Sequence, residues 1–264
     1  MQHPMFLRRF RYLLKQIRYS SLINQAKFIK TISSNDLMYQ TGPKYYFMWG
    51  ASALDAVQAV LKKAGRRRIR TILDLPCGHG RELRFFKIAF PEAEITACDI
   101  DRDGVDYCVK NFKVKGAYSN PDPLLIPVSD QFDLIWCGSL FTHFDIENWR
   151  KLLTFFRERL EINGILIFSA HGPFIAEELR QGQLTLGLDQ SNIEQILKSY
   201  ATSGFGYTNY SGETDYGISL SSPTWISSFL QAWPDLKLIS HRNKGWSNWD
   251  NSWGHDTLAI QRMR

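Results

Sequence analysis

The sequence of 264 residues has no closely spaced cysteine pair, no long apolar run and no acidic side chain in its first 35 positions. Its four cysteines, Cys77, Cys98, Cys108 and Cys137, stand apart without a CxxC. That spacing excludes a zinc ribbon and a disulfide framework, so no metal is expected and the thiols read as reduced, in a cytoplasmic protein. No segment approaches the roughly 18 apolar residues of a membrane span. Charges interrupt the apolar residues near the N-terminus, which is not the pattern of a secretory leader. The missing N-terminal acids matter more. Residues 1–35 carry seven Lys or Arg and no Asp or Glu, so the overall charge of +6 belongs to that end and the other 229 residues sum to −1. A neutral body lacks the basic footprint of a nucleic-acid enzyme, and no nucleic-acid partner is expected.

What is present begins with a helical pattern over residues 5–30, where Phe6, Phe10, Leu13, Leu14 and Ile17 share one face among basic residues. Such a helix packs on the body or a partner, or lies on an anionic membrane surface. Residues 1–43 are therefore read as a basic helical extension and 44–264 as the main domain. From Lys44 an amphipathic helix runs to Gly65, and strand and helix patterns then alternate. "RTILDL", "EITACDI", "GAYSN", "FDLIWCGSLF" and "ILIFSAHG" read as strands, with helical stretches between them. Asn163 and Gly164 read as the stop of the helix beginning at Asp145. Apolar strands without alternation are covered on both faces, as in a doubly wound, mostly parallel Rossmann-like sheet. After Pro173 the rhythm loosens. Residues 205–216 show no clear period, Ser222 is placed to cap a helix, and "LKLISH" and "DTLAIQRM" flank a tryptophan-rich loop. Strands joined by a loop pair antiparallel, so the sheet is expected to end in an antiparallel C-terminal strand.

The most informative stretch is "ILDLPCGHGRELR", residues 72–84. A strand ends at Asp74 and the chain turns at Gly78 and Gly80, where glycine lets backbone approach a ligand. Asp99 closes the next strand, 19 residues beyond Gly80, where a carboxylate can accept both hydroxyls of a ribose. The third glycine of the dinucleotide fingerprint is missing, because Leu83 takes its place. Asp74 would repel a pyrophosphate, and no Lys-Ser or Lys-Thr follows the turn to grip one. A nucleoside with a cationic amino-acid tail suits these residues better.

On these motifs, with "ACDID", "FDLIWCGSLFTHF" and "INGILIFSAHG", the chain from about Lys44 onward resembles the class I S-adenosylmethionine-dependent methyltransferases. A bacterial subgroup shares its "PCGHGR", "GSL-TH" and "YGISL-SP" segments. The resemblance implies S-adenosylmethionine as cofactor. It implies Asp74, Cys77, Gly78 and Gly80 around the methionine portion, with Cys137 and Gly138 flanking it. Asp99 would hold the ribose and Ile100 would pack on adenine. Ser119 and Asn120 stand where the family has a Gly-Asp pair at the adenine edge, so Asn120 departs from that pattern.

Methyl transfer needs in-line alignment, exclusion of water and often removal of a proton from the acceptor. His143 and His171 follow the fourth and fifth strands and are the candidate general bases. Tyr207, Tyr216 and Trp246 are the candidate acceptor walls, with Trp225 nearby in sequence and Asp215, His255 and Asp256 as polar neighbours. The reading is transfer to a small-molecule acceptor, at an oxygen of a saccharide or secondary metabolite. The alternatives are RNA or protein methylation, and a non-catalytic partner protein that keeps the fold.

Overall fold

A computed structural model describes residues 15–39, 42–248 and 252–263. Nine strands form two sheets among the described residues, and the larger has the order β3-β2-β1-β4-β5-β9-β8. Its parallel part consists of β1 (Thr71–Asp74), β2 (Glu94–Asp99), β3 (Lys115–Tyr118), β4 (Phe132–Cys137) and β5 (Leu160–Ala170). Every residue of β4 is buried, which explains its unbroken apolar run. β9 (Gly254–Arg262) pairs antiparallel with β5, and β8 (Leu236–Ser247) antiparallel with β9. The expected doubly wound sheet with an antiparallel C-terminal edge is present. β1 and β4 are neighbours, and the chain winds outward from them in both directions. Ligands of such sheets bind outside the carboxyl ends at that switch point.

Helices cover both faces: α2 (Pro43–Lys63), α3 (Leu83–Ala89), α4 (Arg102–Phe112), α5 (Ile146–Arg159), α6 (Pro173–Arg180), α7 (Gln190–Ser203) and α8 (Pro223–Phe229). Local chemistry sets several of their starts. Asp101, Asp145 and Asp189 accept hydrogen bonds from the backbone N–H groups of Asp103, Asn148 and Asn192. Ser222 caps α8, its Oγ accepting from Trp225 N–H at 3.1 Å. Ser222→Ala should lower stability by about 1 kcal/mol, read as a shifted urea midpoint with unchanged slope.

Four sequence expectations change. Of the helix expected over 5–30, residues 1–14 lie outside the described residues, 15–23 form α1, and 24–30 are not helical. Tyr19 of α1 is buried with its hydroxyl on Asp55, which Arg18 also meets at 2.9 Å. Asn163 and Gly164 do not stop α5. That helix ends at Arg159, and β5 runs through both residues because buried Leu160 already pairs with Phe132. Asn163 takes φ +64 inside β5, and the register against β4 shifts between Phe132 and Leu134. The aperiodic tract after Gly204 is a hairpin of β6 (Phe205–Asn209) and β7 (Gly217–Ser221). Gly206 breaks the strand pattern because a Cβ there would meet the Ile196 carbonyl oxygen at 2.3 Å. Finally, most of the tryptophan-rich loop is strand, since buried Trp246 anchors the end of β8; residues 249–251 lie outside the described residues.

A strap of residues 28–38 joins this body. Phe28 packs on Phe47 and Phe85. The buried Arg84 donates to the carbonyls of Ile29 and Thr31 at 2.9 and 3.0 Å, and through Nε to the Gly80 carbonyl at 3.0 Å. One guanidinium therefore ties the strap to the glycine turn. Its charge is enclosed by the Tyr46, Phe47 and Phe112 rings. Among the described residues no helix is long and apolar enough to cross a membrane.

Candidate functional site

The glycine turn follows β1 directly. Gly78 and Gly80 have φ of +47 and +79, and a Cβ on Gly80 would lie 2.5 Å from the Phe112 ring. Glycine is thus required at position 80 by both conformation and space. The Gly78 N–H donates to Asp99 Oδ2 at 2.7 Å, and the Asp101 N–H donates to Asp99 Oδ1 at 2.9 Å. Asp99 is therefore held at the end of β2 with one lone pair of each oxygen engaged. Burial raises its pKa, while these N–H donors oppose the shift.

Asp74 is more enclosed. It is 1% exposed, and among the described residues neither carboxylate oxygen has a hydrogen-bond partner. Burial first, then the nearby Glu82, pushes its pKa well up, and Arg81 opposes this. A buried acid without a donor is costly unless a ligand supplies one. Asp74 lies behind the turn and lines none of the three cavities that meet here.

Those cavities lie at the carboxyl ends of the strands. The first, 680 Å³, is bounded by Asp99, Ile100, Ser119, Asn120, Ile126 and Tyr216. The second, 310 Å³, includes Cys77, Gly78, Asp99, Gly138, His143 and Tyr216. Asp36, Leu37 and Met38 of the strap close one side of this second cavity. The third, 340 Å³, is bounded by Tyr45, Trp49, Arg81, Trp246, Trp253 and His255. Asp99 and Tyr216 belong to the first two, and Arg81 and Trp246 to the second and third. Ser139 belongs to all three.

Ser139 follows β4 with φ +61, and its N–H donates to Ser169 Oγ at 2.7 Å. A left-handed non-glycine residue costs on the order of 1–3 kcal/mol and concentrates at functional sites. A serine carries no local pattern for that φ, although its place just after the fourth strand puts it at the carboxyl edge of the sheet. The strap residues were missed too, because they stand some forty positions before the turn they face.

The histidines separate clearly. His143 lines the second cavity and stacks on Tyr216, with ring centroids 4.9 Å apart. Its Nδ1 lies 2.9 Å from the Gly217 carbonyl oxygen. A carbonyl only accepts, so Nδ1 carries the hydrogen and Nε2 keeps a lone pair. Burial lowers the pKa of His143, so the ring is neutral near pH 7. His171 is buried beside His255, with centroids 4.8 Å apart, and lines none of the three cavities. Burial and then His255 push its pKa well down, and among the described residues its Nδ1 has no partner.

The other candidates divide similarly. Cys137 is buried away from all three cavities, whereas Cys77 and Gly138 line the second. Of the acceptor candidates, Tyr216 and Trp246 stand on cavity walls. Tyr207 does not: its hydroxyl donates to Asn209 Oδ1 two residues along its own strand, at 2.5 Å. Trp225, half-buried, packs against Trp149, Phe205 and Phe229 at the edge of the core and lines none of the three cavities. Among the described residues no cluster of His, Cys, Asp or Glu could hold a metal ion.

An elongated trough with acids behind and beside its glycine turn suits a nucleoside with an ammonium-bearing tail. The half-engaged Asp99, on the walls of the first two cavities, is what such a ligand would satisfy. Comparison with known proteins agrees. Residues 72–164 match the family model described as a methyltransferase domain. No curated protein matches the sequence. Among solved structures, the fold is similar to an S-adenosylmethionine-dependent methyltransferase from Clostridium acetobutylicum ATCC 824 (TM-score 0.55, 15% identity, covering 83% of this chain and 92% of that one). It is similar to the N-methyltransferase NodS from Bradyrhizobium japonicum WM9, solved with S-adenosyl-L-homocysteine (TM-score 0.51, 14% identity, 93% and 98% covered). It is also similar to CalS10, an amino pentose methyltransferase from Micromonospora echinaspora, solved with the methyl donor (TM-score 0.54, 13% identity, 81% and 92% covered). The motif-bearing half-sheet and the fold around it point the same way: residues 72–164 match a methyltransferase domain, and the chain has the fold of solved S-adenosylmethionine-dependent methyltransferases.

Proposed function

We propose that the protein methylates an oxygen of a small-molecule acceptor, a saccharide or a secondary metabolite, with His143 as general base. The observation that carries this reading is the meeting of three cavities at Ser139, with the free Nε2 of His143 on the wall of the middle one. In this reading Ile100, Ser119 and Asn120 hold the adenine end in the first cavity. Asp99 accepts the ribose hydroxyls between the first and second cavities. Cys77, Gly78, Gly80 and Gly138 form the backbone bed of the methionine portion, with Asp74 buried behind that bed.

Bound S-adenosylmethionine supplies an electrophilic methyl group and a neutral thioether as leaving group. The protein's own contribution is to align the acceptor oxygen with that methyl, exclude water and take one proton. The acceptor O–H gives its proton to His143 Nε2 as the new O–CH3 bond forms. The Nδ1–H bond to the Gly217 carbonyl then holds the imidazolium in place. A small-molecule acceptor is in keeping with CalS10, an amino pentose methyltransferase whose fold is similar.

Calorimetric titration tests the first half of this proposal. S-adenosylmethionine and its demethylated product should both bind to the full chain at one site. No heat at millimolar ligand would overturn the assignment of the trough.

A further inference from the structure

We infer that the third cavity is built for a flat, anionic acceptor: an aromatic or heteroaromatic ring that carries the oxygen to be methylated and, elsewhere, an acidic group. This rests on the methyltransferase reading above and narrows its substrate class.

The walls are the first reason. Trp49 meets Trp246 at 5.5 Å and 87°, and Trp253 at 5.3 Å and 82°. Edge-to-face contacts of this kind set broad ring surfaces at right angles, with Tyr45 also on the wall. Such a corner rewards a planar ring that can lie against one surface and meet the other by its edge. The indole N–H of Trp246 is spent on the Trp49 carbonyl at 3.0 Å, so this tryptophan offers the cavity apolar surface.

Charge is the second reason. Arg81 is the charged side chain on this wall, and its guanidinium lies over Trp246, 5.6 Å from the ring centroid. Its Nε is held by Glu82 at 2.7 Å, and among the described residues its two terminal amino groups have no hydrogen-bond partner. A planar fork with both prongs available is matched by a carboxylate. Among the described residues the wall has no Asp, Glu, Asn or Gln. An ammonium in this cavity would face the Arg81 guanidinium, whose carboxylate partner Glu82 is not on the wall. A saccharide would bring several hydroxyls to a wall that could satisfy few of them.

His255 is the third reason. His255 Nδ1 lies 3.4 Å from Ser169 Oγ, which accepts from the Ser139 N–H. The imidazole therefore adds a polar edge to the wall. Burial pushes its pKa down to about 3, so it does not take up a proton near neutral pH. A neutral imidazole leaves the charge of this wall to Arg81, and proton removal is left to His143.

The test uses the full chain saturated with S-adenosyl-L-homocysteine and four probes titrated by calorimetry: 4-hydroxybenzoate, its neutral amide 4-hydroxybenzamide, tyramine and methyl glucoside. The acid should bind about tenfold tighter than the amide, with tyramine and the glucoside weaker still. Arg81→Gln should bring the acid and amide within about threefold of each other. Trp253→Leu should weaken both rings about tenfold and leave S-adenosyl-L-homocysteine affinity within about threefold. Equal or tighter binding of tyramine or the glucoside, or no binding by any of the four, overturns the inference. So does an acid preference that survives Arg81→Gln while cofactor affinity falls, because Arg81 would then serve the cofactor's carboxylate. Failure of S-adenosyl-L-homocysteine to bind the unmodified protein is a different result, and it overturns the methyltransferase reading itself.

Discussion

His143→Ala should lower kcat by about a hundredfold or more while leaving the dissociation constant of S-adenosylmethionine nearly unchanged. The split follows from geometry. The Nδ1 of His143 is committed to the Gly217 carbonyl and its Nε2 is the lone pair on the wall of the middle cavity. Its removal takes away a proton acceptor but no charge that the cofactor needs. His143→Gln keeps an amide donor for the Gly217 carbonyl and still cannot accept a proton usefully, so it should be as slow as alanine. A glutamine variant with near-normal kcat would show that His143 only braces the β6–β7 hairpin. The pH profile gives a second readout. The base works as neutral imidazole, and burial lowers the pKa of His143 below the ordinary histidine value. Activity should therefore be level through neutral pH and be lost as pH falls through that lowered value. His143→Gln should remove this acidic limb. A profile that falls already above the ordinary histidine pKa would point to another base.

The second large effect is on cofactor binding. Asp99→Ala should weaken S-adenosylmethionine by about ten- to a hundredfold, the cost of losing hydrogen bonds to a charged acceptor. Asp99 has a structural task as well, since it accepts from the Gly78 and Asp101 N–H groups. Asp99→Asn keeps an acceptor for one of these groups and separates the two contributions. It should fold normally, by unchanged thermal midpoint, and still bind the cofactor more weakly than the unmodified protein. An unchanged dissociation constant in both variants would show that the ribose does not lie beside β2.

How much of this was legible beforehand depends on how local each signal is. The parallel half of the sheet was, because strands buried on both faces leave runs such as "FDLIWC", and every residue of that run is buried. The caps at Asp145 and Ser222 were, because a cap is made with an N–H three residues away. The glycine turn was, because Gly80 is required by its own φ. Asn163-Gly164 misled because turn residues normally stop a helix, whereas here long-range pairing of β5 with β4 had already ended it at Arg159. The β6–β7 hairpin was hidden because Gly206 answers to the Ile196 carbonyl on α7, a contact without a local pattern.

The sequence by itself thus determined the fold class, the methyl donor and the position of the acids that flank it, since each depends on residues close together in the chain. Tertiary structure alone decided which histidine lines the cavities. His143 and His171 both follow strands of the same sheet, and only packing separates them. The hairpin carbonyl at Gly217 orients one toward the cavity, and His255 and the surrounding core bury the other. The wall of the third cavity was decided in the same way. Trp49, Arg81 and Trp246 come from three distant segments, and their charge and shape as a set exist only once the sheet has brought α2, the glycine turn and the end of β8 together.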